Sequence, residues 1–195
     1  MNVIGGIYRG KRLAAPEGHG VRPTGSKVRE AVFDILGPVV EGAVFLDLFA
    51  GSGAVGIEAL SRGADTCAFA EESPKALRFL RANLEALNPP ARWRLLPFPA
   101  PKALKVLRDT GFRADILFAD PPYSSREWPA ILLSLPKYGL LKPDSVAVLE
   151  HAAANPPNAP EDWGVPRRYR YGDTARAVYR LTSEERGVRS EERGA

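Results

Sequence analysis

The chain has 195 residues, 45% hydrophobic and 26% charged, with a formal net charge of +4 and one cysteine, Cys67. That length suits one domain with a real core, and the composition is that of a soluble globular chain. No apolar run is long enough to span a bilayer, no secretory leader is recognisable, and a lone cysteine makes no internal disulfide or cysteine metal site; a reducing cytoplasm is the expected compartment.

The positive charge is concentrated at the start. Residues 1–29 carry Arg9, Lys11, Arg12, Arg22, Lys27 and Arg29 against Glu17 alone. Such a segment attracts phosphates, although a solvated basic surface is the bland alternative. Residues 2–7 and 11–14 flank Tyr8-Arg9-Gly10 and read as a short hairpin, with Gly5-Gly6 permitting a bend. A loop rich in Gly and Pro follows over 16–25. Ser26 then caps a helix whose Val28, Ala31, Val32, Ile35 and Leu36 recur at helical spacing until Gly37-Pro38 stops it. Its other face offers Lys27 and Arg29 either to solvent or to a polyanion.

From residue 43 strands and helices alternate. Strands are expected over 43–48, 66–71, 93–97, 114–119 and 145–150, with helices over 53–62, 74–86, 101–109 and 126–134. This alternation implies a parallel sheet with helices on both faces. Two further alternating runs, 167–171 and 175–181, meet at Gly172-Asp173 and predict a closing hairpin with an antiparallel last strand. The tail over 183–195 contains Ser-Glu-Glu-Arg-Gly twice and too few apolar residues to order itself,. The chain therefore divides into a basic N-terminal hairpin and loop (1–25), an α/β domain (26–182) and a charged tail.

Two stretches carry the chemistry. In the first, strand residues Val44 to Leu48 run into Phe49-Ala50-Gly51-Ser52-Gly53 and then a helix, which is the order of a nucleotide-binding crevice. Gly51, Gly53 and Gly56 satisfy G-x-G-x-x-G, and Glu71 ends the next strand, where an acidic residue can hold ribose hydroxyls. This suits a dinucleotide or S-adenosylmethionine equally. Asp47 is a carboxylate in an apolar strand end and needs compensation, which a ligand ammonium would supply. In the second stretch, strand 114–119 delivers Asp120-Pro121-Pro122-Tyr123 to the same sheet edge. Asp120 and the Pro121 carbonyl form a two-acceptor clamp for an exocyclic amine, and Tyr123 can stack on the base. A capped turn with a surface tyrosine is the structural alternative. His19 and His151 have no partner ligands at metal spacing, and Cys67 sits in an apolar strand.

These motifs resemble those of class I S-adenosylmethionine-dependent amino-methyltransferases. Ile4-Gly5-Gly6-Ile7-Tyr8-Arg9-Gly10-Lys11-Arg12-Leu13 and Arg22-Pro23-Thr24-Gly25-Ser26-Lys27-Val28-Arg29-Glu30-Ala31 are similar, more narrowly, to the RsmD family of 16S ribosomal RNA (guanine 966 N2)-methyltransferases, over residues 2 to about 181. The resemblance implies a Rossmann-like methyltransferase fold: a mostly parallel seven-stranded sheet with an antiparallel last strand and a small N-terminal hairpin extension. It implies S-adenosylmethionine as cofactor and S-adenosylhomocysteine as product. Asp47, Ala50, Gly51, Ser52 and Gly53 would hold the methionine part, Glu71 the ribose, Phe98 the adenine, and Thr24 the cofactor carboxylate or a phosphate. Asp120, Pro121 and Tyr123 would hold the target amine, and Arg9, Lys11, Arg12, Arg22, Lys27 and Arg29 the RNA. The implied partner is 16S ribosomal RNA in a small-subunit assembly particle, with the enzyme a monomer and no membrane involved. Gly25-Ser26 departs from the family's usual Thr/Ser-Asp, and Phe98-Pro99-Ala100 from its acidic or amide residue near adenine. A DNA adenine-N6 methyltransferase and a nicotinamide-dependent dehydrogenase are the rival readings; the first lacks room for target recognition and the second leaves Asp47 and the Asp-Pro-Pro-Tyr loop unexplained.

Overall fold

The computed structural model describes residues 1–16, 25–122, 128–152, 163–164, 167–171 and 174–181. Its strands are β1 (Val44–Leu48), β2 (Thr66–Ala70), β3 (Arg92–Leu96), β4 (Ala114–Ala119), β5 (Leu141–Ala152), β6 (Arg167–Tyr171) and β7 (Thr174–Arg180). They form one seven-stranded sheet in the order β3-β2-β1-β4-β5-β7-β6. The first five are parallel, and β7 runs antiparallel to both β5 and β6. This is the Rossmann-like methyltransferase arrangement with its reversed final strand.

Strand periodicity sorts the core into two layers. Phe45, Cys67, Phe69, Ile116, Phe118, Val146 and Val148 face one side, which is covered by α1 (Ser26–Leu36), α2 (Ala54–Ser61) and α3 (Pro74–Leu87). Leu46, Leu48, Ala68, Leu117, Ala147 and Leu149 face the other, which is covered by α4 (Ala100–Asp109) and α5 (Trp128–Lys137). Helix α3 shows both of its local signals. Ser73 accepts from the Ala76 amide at 3.4 Å ahead of Pro74 at the first helical position, and Asn88 closes the helix in the left-handed region,.

The expected boundaries mostly fall within one or two residues of those observed, and three differences have physical reasons. Strand β5 begins at Leu141 rather than 145, because its pairing with β4 jumps from Ala114 opposite Leu141 to Ile116 opposite Val146. The extra residues form a bulge that includes Asp144 at φ 63°,. Helix α1 is entered from Gly25 with no side-chain cap; Ser26 is already helical and does not cap it. Its buried stripe is Arg29, Val32, Phe33 and Leu36, one position round from the stripe read from the sequence.

The N-terminal hairpin is reduced to a single antiparallel bridge, Asn2 with Arg12, and residues 6–8 form a 3-10 turn instead of continuing a strand. The turn is held from α2. Glu58, fully buried, accepts the Ile4 and Gly5 amides at 2.8 and 2.7 Å, and Ser61 accepts the Tyr8 amide while its hydroxyl donates to the Gly5 carbonyl. A Cβ on Gly6 would stand 1.7 Å from the Ser61 carbonyl oxygen, so nothing larger than glycine fits. The hairpin keeps backbone bonds between Met1 and Leu13 and from Val3 to Gly10 and Lys11, and side-chain anchors on a helix hold its bend. No helix among the described residues is long and apolar enough to cross a membrane.

Gly56, the third glycine of the G-x-G-x-x-G run, lies in the α2–β2 interface: a Cβ there would sit 2.3 Å from Phe69 Cε1 and 2.8 Å from Cys67 Sγ. Gly56→Ala must push α2 off the sheet and is expected to cost about 1–3 kcal/mol. Urea unfolding midpoints of the two proteins measure it.

Candidate active site

In a doubly wound sheet, ligands bind outside the carboxyl ends of the strands where the strand order reverses. Here that point lies between β1 and β4, paired in register from Phe45 opposite Ile116 to Leu48 opposite Ala119. The loop that follows β1 and the Asp120-Pro121 loop that follows β4 therefore emerge side by side. The Glu71 loop after β2 and the Phe98 loop after β3 leave the same edge.

Residues 49–53 make a tight turn. The Gly53 amide donates to the Ala50 carbonyl at 2.8 Å, and the Ala50 amide donates to Ala70 of β2 at 3.0 Å. Gly51 and Gly53 have φ of 57° and 82°, a region that disfavours side chains, and Phe49 adopts φ 60° despite its ring,. A Cβ on Gly53 would sit 2.2 Å from Leu80 of α3, so this glycine is needed for packing as well. A Cβ on Gly51 would meet nothing within 4 Å: there the backbone borders open space.

Carboxyl groups stand at this edge of the sheet. Glu71 Oε2 accepts the Gly51 amide and its Oε1 accepts the Ser73 amide, both at 2.7 Å, which fixes the carboxylate and leaves each oxygen further acceptor capacity,. Asp47 is 1% exposed and accepts the Gly56 amide, in the first turn of α2, at 2.9 Å. Part of the compensation expected from a ligand ammonium thus comes from a helix N–H. It is not enough to keep the carboxyl ordinary. Burial pushes Asp47 up to about 8; the Gly56 hydrogen bond opposes this, and the charges of Asp120 and Glu71 add to it,. Asp120 is half-buried, Pro121 buried and Pro122 exposed. Phe98 is half-buried with the Lys102 ammonium 4.2 Å from its ring centre, and its amide donates to Leu96,.

Of the residues singled out in the sequence, Asp47, Ala50, Gly51, Ser52, Gly53, Glu71, Phe98, Asp120 and Pro121 lie along this one edge. Thr24, Arg22 and Tyr123, with His19, lie outside the described residues. Arg9, Lys11, Arg12 and Lys27 are exposed. Arg29 is not. It is fully buried and donates to the Asn2 carbonyl at 2.6 Å and to Met1 Sδ, with Glu58 close enough to offset part of the burial that lowers its pKa. Its expected RNA contact is replaced by a structural one: Arg29 shares its helix face with Val32, Phe33 and Leu36, and that face points inward. Cys67 is fully buried and burial raises its thiol well above its ordinary value, as suits a core residue,.

Sequence reading missed Asn83 of α3. It is 4% exposed; its Oδ1 accepts the Ala14 amide at 2.8 Å, and its Nδ2 donates to the Ala14 carbonyl at 2.9 Å and to the Ser52 carbonyl at 3.0 Å. The available signal was an amide side chain placed between Leu80 and Leu84 on the apolar stripe of a helix. A cleft of about 370 Å³ lined by Lys142, Ser145 and Arg180 among others opens at the opposite, amino-terminal edge and includes none of the candidate site residues.

Comparison with known proteins decides the family. Residues 1–180 match the family described as "Conserved hypothetical protein 95". Ribosomal RNA small subunit methyltransferase D of Escherichia coli is 33% identical over 185 residues, covering 94% of this chain and 91% of that protein. The chain belongs to the RsmD family. Among solved structures, the Escherichia coli protein yhhF superposes with a TM-score of 0.82 at 31% identity, covering 94% of this chain and 99% of its own. At 15% identity the fold alone is shared with SMU.776, solved with S-adenosylhomocysteine, over 80% of this chain and 48% of that one with a TM-score of 0.59. This RsmD-family chain is an S-adenosylmethionine-dependent rRNA methyltransferase. The site fits the cofactor: a buried carboxyl, a fixed carboxylate and a glycine turn bordering open space are suited to an ammonium, ribose hydroxyls and a closely approaching backbone.

Asp47 gives the protein a pH signature without ligand. In the unfolded chain its carboxyl titrates near 3.8, and in the folded protein near 8. The folded state therefore holds the extra proton between those values, and this contribution to stability falls as pH rises from about 4 to about 8, by at most about 1.4 kcal/mol per unit. Asp47→Asn keeps an acceptor for Gly56 and should remove that slope, so that the variant gains on wild type between pH 5 and pH 8 in urea unfolding.

Proposed function

We propose that this chain methylates the exocyclic N2 amine of a guanine in 16S ribosomal RNA, guanine 966 as the resemblance of its motifs implies, in a small-subunit assembly particle in the cytoplasm and as a monomer. The adjacency of the glycine turn and the Asp120-Pro121 loop across the β1–β4 pair carries this reading. What supports it is that the loop read as holding the donor and the loop read as holding the amine leave adjacent parallel strands at the same edge of the sheet.

The guanine N2 lone pair is conjugated with the ring and is a poor nucleophile. Asp120 and the Pro121 carbonyl accept its two N–H hydrogens, favour a pyramidal nitrogen and aim the lone pair across the gap toward β1. Asp47, the 50–53 backbone and Glu71 hold the cofactor. When bound, S-adenosylmethionine supplies the methyl group on a sulfonium whose thioether product is a good leaving group. With the methyl carried to N2 and the thioether as leaving group, Asp120 would take the surplus N2 proton along its hydrogen bond. Alignment supplies most of the acceleration, because neither metal nor covalent enzyme intermediate is required by this chemistry.

The target base must leave its stack. Tyr123 then covers it, Thr24 and Arg22 reach a cofactor carboxylate or flanking phosphate, and Arg9, Lys11, Arg12 and Lys27 grip the surrounding backbone.

Asp120→Ala should lower methyl transfer by about 100-fold or more while calorimetry shows S-adenosylhomocysteine affinity changed only a few-fold. Retained turnover would remove the clamp from the mechanism. Nucleoside mass spectrometry of small-subunit RNA from cells with and without the protein identifies the base and its position together. Replacing Arg9, Lys11 and Arg12 by alanine should weaken RNA binding, reduce its log-affinity against log-salt slope by about 2, and leave cofactor affinity unchanged.

A further inference from the structure

The Asn83 side chain hydrogen-bonds both the N-terminal segment and the cofactor turn. Its amide makes a reciprocal pair with the Ala14 backbone and a third bond to the Ser52 carbonyl, in the middle of the glycine turn. Ala14 stands two residues after Arg12 and leads toward Arg22 and Thr24. The amide is 4% exposed, so water is poorly placed to substitute for any of the three partners,. Asn83 itself is fixed from below, between Leu80 and Leu84, both fully buried. With its helix immobile, the side chain meets all three groups in only one relative placement of segment and turn.

We propose that Asn83 is a positioning residue that couples RNA engagement to cofactor binding. RNA held by the basic segment fixes Ala14, and Ala14 through Asn83 fixes the Ser52 carbonyl and the turn whose Gly51 and Gly53 backbone borders the cofactor. Linkage makes the effect reciprocal: cofactor ordering the turn orders the segment for RNA. The inference rests on the reading that the N-terminal segment contacts rRNA.

The test is the affinity for S-adenosylhomocysteine, measured by calorimetry with and without saturating 16S rRNA containing the target, in samples also assayed for methylation. Wild type should bind about fivefold or more tightly with RNA present, a typical coupling. Asn83→Ala should bring that ratio within about twofold of unity. Ala14→Pro removes the amide that Asn83 accepts without altering α3; it should do the same, and keeps the test open if Asn83→Ala folds poorly. Leu107→Ala, on the buried side of α4 at the other face of the sheet, loses stability but should keep the wild-type ratio. A wild-type enzyme that methylates the RNA yet shows no coupling overturns the proposal, as do Asn83→Ala and Ala14→Pro proteins that retain it. Wild type that neither binds nor methylates the RNA overturns the substrate reading, and the coupling with it.

Discussion

The in-register pairing of β1 with β4 is the constraint on which the rest of the molecule depends. Those strands are neighbours in the sheet although some 65 residues separate them in the chain, and the order of the sheet reverses there. Because both are parallel, both deliver their following loops to one edge, and because they are adjacent the loops stand about one strand spacing apart, roughly 5 Å. A shift of β4 by one place in the sheet order would part them. The two hydrophobic layers hold this register. A slip of one residue would turn Phe45 and Phe118 toward α4 and α5, and Leu46 and Leu117 toward α1 and α2,.

A second set of interactions places the N-terminal segment, and it is polar. Glu58, Ser61, Arg29 and Asn83 are all buried, and each makes at least one hydrogen bond to the backbone of residues 2–14. Apolar contacts alone would leave such a segment free to slide. Directional bonds from three different helices fix its path, at the risk that losing one partner strands the other without water. The segment with the highest positive charge is thereby tied to α1, α2 and α3, and α2 is the helix that starts at the glycine turn.

The sheet was legible because its strands are apolar runs separated by strong turn residues and helical stripes; β4 was read to the residue, and α3 begins at Ser73-Pro74 as its sequence says. The β1 and β4 loops were legible because glycine, proline and carboxylate in those orders have few other uses. What sequence pattern could not separate was function from anchorage among charged residues. Arg29 beside Lys27 looked like a basic face, yet a rotation of one residue in the stripe decides between solvent and core, and the presence of Glu58 as its buried neighbour depends on helix packing that no local pattern encodes. Asn83 was invisible for the same reason, since its partners lie 31 and 69 residues away. Ser26 failed as a cap because Gly25 already takes the capping position.

Phe49, at the exit of β1, holds a left-handed backbone that its side chain disfavours, at a cost on the order of 1–3 kcal/mol. The neighbouring bonds, Ala50 to Ala70 and Gly51 to Glu71, impose that shape from outside. Drift to glycine at this position would relieve that strain, but it would forfeit the ring's packing against the core layer under α4 and α5, loosen the unfolded chain and give the cradle a wider range of shapes in which to wait for its nucleoside. Tension at this one residue is tolerated because the same ring anchors the cradle.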